Sequence, residues 1–191
     1  MYKDLVLKNR SYRRFYEYEK IDPSTLIELI DIARCSASGK NNQPLKYIIS
    51  TSEHNNKLIF PTLAWAAYLK DWDGPSQGER PPAYIIIIGD KNISDSFGCD
   101  HGIAAQTILL GATEKGFGGC IIASIQQDKL KTVLDLKYNY EILLVIALGR
   151  PKEVVVLEEV NNEGDIRYYR DNNNVHHVPK RRLDEIIIKS I

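Results

Sequence analysis

From Asp100 to Cys120 the chain reads DHGIAAQTILLGATEKGFGGC, which is apolar on nearly every face of a helix. A helix of that kind has to be buried. Asp100 as N-cap and Gly116 as the residue just beyond the C-terminus bound it to about residues 101–115. Gly102, Ala104, Ala105, Gly111 and Ala112 are small enough to let another backbone or a flat ligand come close. Gly118 and Gly119 then release the chain into CIIAS, a short apolar run that predicts a central strand.

The rest of the pattern falls on either side of this spine. Apolar residues at helical spacing predict a short first helix over residues 2–8, ending at Asn9. Asp22 as cap and Pro23 at the first helical position open a second helix, with an apolar face of Leu26, Ile27, Ile30 and Ile32 and an end near Cys35. The polar loop SASGKNNQP leads into a strand over about residues 45–51. From Pro61, TLAWAAYLKDWDGPSQGERPP predicts an aromatic helical piece and then a loop dense in Gly, Pro and charge, the type that forms lids. Trp65, Tyr68 and Trp72 in it read as packing residues. AYIIIIGD, from Ala83, is a strand covered on both faces. A helix over residues 126–134 and a strand over residues 140–149 follow, the latter closed by Arg150 and Pro151. VVVL and DIRYY read as later strands, and VPKRRLDEIIIKSI closes the chain with three adjacent cations and a short helix. With no repeat or low-complexity linker, residues 1–191 are expected to form one domain large enough for its own core.

Composition narrows the class. A hydrophobic content of 43% and a charged content of 26% are ordinary for a water-soluble protein. A formal net charge of zero gives no overall field for nucleic acid or an acidic membrane, so any anion site must be local. Cys35, Cys99 and Cys120 show no metal or redox spacing and suit free thiols in a reducing compartment. Neither a signal peptide nor a membrane span is apparent, so a cytoplasmic location is expected.

Metal and nucleophile chemistry find little support. His54, His101, His176 and His177 never fall at ligand spacing, and adjacent histidines in a strand point to opposite faces. GFGGC lacks the nucleophile-elbow pattern, and Cys120 falls in an apolar strand. GFGG also follows a helix and enters a strand, the reverse of a dinucleotide fingerprint. Two basic clusters remain: Arg10, Arg13 and Arg14 around Ser11, and Lys180, Arg181 and Arg182 near the end. Each alone reads as a solvated basic turn, but two that met in space would bind a phosphate. Ser38, Asn41, Asn42 and Gln43 are either turn chemistry or a set of groups that could read the polar edge of a heterocycle.

Taken in order, these motifs resemble the FMN-dependent nitroreductases over almost the whole chain. RSYRRF is similar to that family's flavin-binding turn, which implies Arg10, Ser11 and Arg13 as contacts to the FMN phosphate and ring, with Arg13 beside N1 and the C2 oxygen. SGKNNQP resembles its Ser-x-x-Asn-x-Gln-Pro loop, implying Ser38, Asn41 and Gln43. KGFGGCIIAS resembles the segment that reaches the flavin, implying Ile122, Ala123 and Ser124, and VPKRRLDEI resembles the terminus that brings Lys180 and Arg182 to the phosphate. ALGRP resembles the family's Gly-Tyr-Pro strand end, with Arg150 where tyrosine is common, and Ala123-Ser124 replaces the frequent Gly-Gly or Glu-Gly. The resemblance implies an α+β, three-layer α/β/α fold with a central, mainly antiparallel sheet and a long helix at a homodimer interface. It also implies non-covalent FMN, NAD(P)H as electron donor, and reduction of nitroaromatic, quinone or similar acceptors by ping-pong hydride transfer through flavin N5. Related flavin chemistry, such as reductive dehalogenation or flavin breakdown, and a low-turnover redox sensor are the alternatives.

Overall fold

The structure, a computed structural model, describes residues 1–191. Helices α1 (Tyr2–Lys8) and α2 (Pro23–Arg34) precede strand β1 (Leu45–Ser50), helix α3 (Glu53–Ile59) and strand β2 (Ala83–Asp90). Helix α4 (Asp100–Glu114), strand β3 (Gly118–Ile122), helix α5 (Gln127–Val133) and strand β4 (Tyr140–Gly149) complete the main body. Strands β5 (Val155–Glu159), β6 (Tyr169–Arg170) and β7 (His176–Lys180) and helix α6 (Leu183–Ile186) follow. No helix is long and apolar enough to cross a membrane.

The main sheet is antiparallel throughout, in the order β1-β2-β4-β3. All eight residues of β2 are buried, as its apolar run predicts. Strand alternation sends Ile85 and Ile87 against α2 and α4, and Tyr84, Ile86 and Ile88 against α3 and α5. In β4 the register skips Leu143, since Ile87 pairs with Leu144 and Ile88 with Ile142. That bulge puts Ile142 in one core and Leu144 in the other, although two residues apart they would otherwise share a face. Two cores on two faces of one sheet make the three-layer α+β arrangement.

Helix α2 starts as its sequence predicts: Asp22 caps it by accepting the Ser24 N–H, and Pro23 sits in its first turn. Its buried stripe differs from the expected one. Leu26, Leu29 and Ala33 face the core, whereas Ile27 and Ile32 are exposed. The segment after Pro61 forms no α-helix beyond a single 3-10 turn at Phe60–Thr62, and α3 just before it has only one buried residue, Ile59.

The central helix ends as expected, with Gly116 at φ +81° and the Phe117 N–H returning to the Ala112 carbonyl. Its start differs, because Asp100 lies inside the first turn and Cys99 is the N-cap. Ala104, Ala105, Ile108, Leu109 and Ala112 pack into the chain's own core. A Cβ on Gly111 would meet Leu29 of α2 at 2.9 Å. Gly102, Ile103 and Gln106 are the side of α4 that stays open. Strand β3 is at the sheet edge, contrary to its expected central place, and Ile121 on it is exposed while Ile122 is buried.

Candidate functional site

The basic turn after α1 is laid along the free edge of β3. Ser11 bridges Gly119 in parallel, and the Tyr12 N–H donates to the Gly119 carbonyl at 3.0 Å. This needs a floor without side chains. A Cβ on Gly118 would come within 2.4 Å of the Tyr12 ring, and one on Gly119 within 2.6 Å of the Ala147 carbonyl oxygen. Phe15, fully buried, pins the far end of the turn, where the Tyr16 N–H donates to the Arg150 carbonyl and the Lys152 N–H to the Arg14 carbonyl.

Two carboxylates hold the turn from behind. Glu153, with no exposed side-chain surface, accepts the backbone N–H groups of Arg13 and Arg14 and lies 3.0 Å from Arg170 Nη2. Glu79 takes both Nε and Nη2 of Arg14 at 2.6 Å, with Lys152 Nζ at 3.1 Å. The Arg14 hydrogen bonds, with help from Lys152 and against the opposing effect of burial, hold the Glu79 carboxyl down at about 2. Arg14 is thereby a structural residue, fully neutralised.

Arg10 and Arg13 face the other way. With Ser11, Lys180, Gln106, Ile121, Tyr168 and His176 they line a cleft of about 370 Å³ that contains no Asp or Glu. Arg14, Arg34, Arg150, Arg167, Arg170, Arg181 and Arg182 each have a carboxylate within 4 Å, while Arg10, Arg13 and Lys180 have none. Arg10 spends one Nη2 hydrogen on the Val6 carbonyl, and its buried Nε has no partner. Burial lowers its pKa from the ordinary arginine value, with Tyr12 acting in opposition. An un-neutralised, partly buried guanidinium pair beside a lysine and a serine hydroxyl fits a phosphate.

The structure thus brings together Arg10, Ser11, Arg13 and Lys180, from opposite ends of the chain. Arg182 is outside this lining and pairs with Asp184 on the terminal segment. Of the β3 residues, Ile121 lines the cleft, the Ile122 side chain points into the second core, and Ala123 and Ser124 are exposed just beyond the strand. Alternation along β3 would have shown that Ile121 and Ile122 part company, but only the Gly119 bridge fixes which one faces out. Glu153 and His176 have no local signal in the sequence.

Ser38, Asn41 and Gln43 lie elsewhere, by the N-terminus of α4. Asp100 gathers this loop, accepting the Ser38 hydroxyl at 2.6 Å and the Gly39 N–H at 2.9 Å, and the Ser38 oxygen in turn accepts the Gln43 N–H. Lys40, Asn41 and Gln43 all hold positive φ, between 51° and 56°. Such strained non-glycine residues concentrate in segments shaped for a ligand or a partner. Ser38 and Gln43 border a separate cavity of about 240 Å³, and neither joins the cleft of Arg10 within this chain.

Comparison with known proteins finds the same fold in solved structures. The nitroreductase family protein of Streptococcus pneumoniae TIGR4 superposes over 100% of both chains, with a TM-score of 0.71 and 21% identity. The FMN-dependent nitroreductase of Clostridium difficile R20291 does so over 87% of this chain and 97% of its own, at 0.63 and 22%. YodC of Bacillus subtilis strain 168, which bears an NAD(P)H nitroreductase name, is 24% identical over 76% of this chain and 87% of itself. The family model for nitroreductases matches residues 6–150, from α1 to the residue that closes β4, and this chain belongs to the nitroreductase family.

Proposed function

We propose that this protein is an FMN-dependent oxidoreductase that takes electrons from NAD(P)H and passes them to a nitroaromatic, quinone or similar small acceptor. The observation that carries this reading is the acid-free cleft in which Arg10, Arg13 and Lys180 stand without carboxylate partners. FMN fits that donor set: Arg10, Lys180 and the Ser11 hydroxyl would hold its phosphate, with Arg13 beside N1 and the C2 oxygen of the ring. When bound, FMN would supply the redox chemistry, accepting a hydride equivalent at N5 from one substrate and returning electrons to the next.

The chain's own part is to bind, orient and polarise. A fixed positive charge at Arg13 favours the anionic reduced form of the cofactor over the oxidised form. The exposed backbone at Ala123 and Ser124 would border the ring, and Ile121 would pack against it. No side-chain acid or base is required of this site.

In this reading the protein works as a homodimer built on the open side of α4, Gly102, Ile103 and Gln106, with Ser38, Asn41 and Gln43 reaching the partner's cofactor. Their distance from the Arg10 cleft along α4 supports that division, since the cleft meets α4 at Gln106 and Leu109, about 9–13 Å along the helix from Asp100.

Purified protein should be yellow, release FMN on denaturation and lose affinity for it about tenfold or more on Arg10→Ala, read by flavin fluorescence quenching. Stopped-flow mixing with NADH and with NADPH should bleach the flavin within the turnover time for at least one of them. A colourless protein that does not quench added FMN sinks the cofactor assignment. A loaded protein reduced only slowly by both donors is a sensor or flavin store, not a reductase.

A further inference from the structure

Arg13 and Arg14 are neighbours in one turn, yet the fold treats them in opposite ways. Arg14 receives a bidentate carboxylate from Glu79. Arg13 receives only groups without charge: Nη1 is 3.1 Å from His176 Nε2 and 3.4 Å from the Ser11 carbonyl, and the guanidinium carbon lies 4.9 Å from the centre of the Tyr168 ring. His176 is 1% exposed, on β7, 163 residues away in sequence.

Since arginine is always a donor, the hydrogen bond requires His176 Nε2 to accept and places the imidazole proton on Nδ1. The surroundings agree with a neutral ring. Burial first, then the Arg13, Arg170 and His177 charges, pull the His176 pKa down to about 4. The ring is braced in turn by Tyr168, 5.2 Å away between centroids, and Tyr168 packs at a tilt against Tyr68, 4.9 Å between centroids, its hydroxyl accepting the Tyr68 backbone N–H at 3.4 Å.

We infer that His176 is a positioning residue, whose neutral imidazole holds the Arg13 guanidinium toward the flavin ring without cancelling its charge. This rests on the FMN reading above. A carboxylate at the same point would grip Arg13 harder and neutralise it, which is what Glu79 does to Arg14. A hydrocarbon there would leave the guanidinium free to swing into the cleft mouth, where water screens it. Histidine on a rigid strand gives direction alone.

The test compares His176→Phe, which fills the space but cannot accept, with His176→Gln, whose amide oxygen can. Arg13→Gln and the double variant Arg13→Gln/His176→Phe complete the set. Affinity for oxidised FMN is read by fluorescence quenching and the potential of bound FMN by equilibration with a reference dye. His176→Phe should favour reduced FMN about tenfold less than the native protein, a fall of about 30 mV for a two-electron couple. Its affinity for oxidised FMN should change much less. His176→Gln should recover most of the potential, and the double variant should fall no further than Arg13→Gln alone. An unchanged potential in fully loaded His176→Phe, or additive shifts in the double variant, overturns the inference. His176→Met, which also lacks a nitrogen or oxygen acceptor, carries the same expectation should the phenylalanine variant not fold. In the flavin-free native protein, imidazole 15N shifts should report a proton on Nδ1 and not on Nε2, and the opposite tautomer refutes the contact directly. Failure of the native protein to bind FMN would instead refute the cofactor reading and take this inference with it.

Discussion

Glu153 is the residue on which the cation turn stands, and its replacement should be far more costly than its one carboxylate suggests. It is buried without remainder beneath the turn, satisfied by the Arg13 and Arg14 backbone N–H groups and by Arg170, whose own side chain is 13% exposed and stacks on Trp72 at 4.2 Å. Glu153→Gln keeps the volume but removes the negative charge, leaving Arg170 desolvated beside an amide. Breaking a buried pair from one side costs about 3–5 kcal/mol, more than the pair itself is worth, because the surviving charge has nowhere to go. For a chain of this size each kcal/mol moves the melting temperature by about 2–4 °C, so a fall of roughly 6–20 °C is expected. Urea unfolding at fixed protein concentration gives the free energy, and a double-mutant cycle with Arg170→Met isolates the cause. With the cation gone as well, Glu153→Gln should lose much of its effect, a coupling of about 1–3 kcal/mol. A Glu153→Gln protein within 1 kcal/mol of native, or strict additivity with Arg170→Met, would refute the view that this carboxylate and this guanidinium depend on one another.

Acid should loosen the same turn through Glu79. Its folded pKa of about 2 is below the ordinary 4.5, so the stability it contributes is complete above about pH 4.5 and disappears as pH falls toward 2. Glu79→Gln should flatten that limb of the stability curve by on the order of 2–3 kcal/mol, measured by urea midpoints between pH 2.5 and 6. His177 acts with the reverse sign. Its ring nitrogens face Glu158 at 3.0 Å and Asp171 at 3.5 Å, and the Glu158 hydrogen bond is the main cause of its raised pKa. The contribution is full below the ordinary histidine value and is lost as pH rises through the folded one, so the gap in melting temperature between native and His177→Gln should shrink on going from pH 5.5 to 8.5. Gly119→Ala should cost about 1–3 kcal/mol by overpacking against the Ala147 carbonyl and should weaken FMN binding in parallel, since the Ser11 bridge rests on that residue. Full FMN affinity in a destabilised Gly119→Ala protein would mean that the turn does not depend on its floor.

What could be read from sequence was whatever is local. The continuous apolar runs of β2 and β4, the Asp22 cap with Pro23, and Gly116 after α4 are each specified within a few residues. Helix α3 was missed because EHNNKLI buries only Ile59 and so carries no apolar stripe. The segment after Pro61 was misread because its aromatic residues look helical, while in fact two of them are tied to distant partners, Trp72 to Arg170 and Tyr68 to Tyr168, and Trp65 folds back on nearby Phe60. Asp100 had the composition of a cap but is used to gather the Ser38 loop 61 residues earlier. The basic clusters could be named as candidate anion sites. Which of the adjacent arginines would be neutralised could not, because Glu79 and Glu153 approach them from 65 and 140 residues away.

That division of charge keeps the cleft cationic in a chain of zero net charge. Each acid that approaches the turn comes from behind it and is already committed, Glu79 to Arg14 and Lys152, Glu153 to Arg170 and two backbone N–H groups. Those contacts fix the backbone of residues 13 and 14 without touching the guanidinium of Arg13 or that of Arg10. Holding the cations from the cleft side with carboxylates would have given an equally rigid turn, but an incoming phosphate would then have had to displace them. Binding would have lost the Coulomb energy of the pairs it broke, a loss that is greatest where burial has lowered the effective dielectric. Anchoring through the backbone and through neutral His176 separates rigidity from charge. The charge of Arg10 and Arg13 is therefore left to the cleft, over a range of about 8–10 Å at ordinary salt.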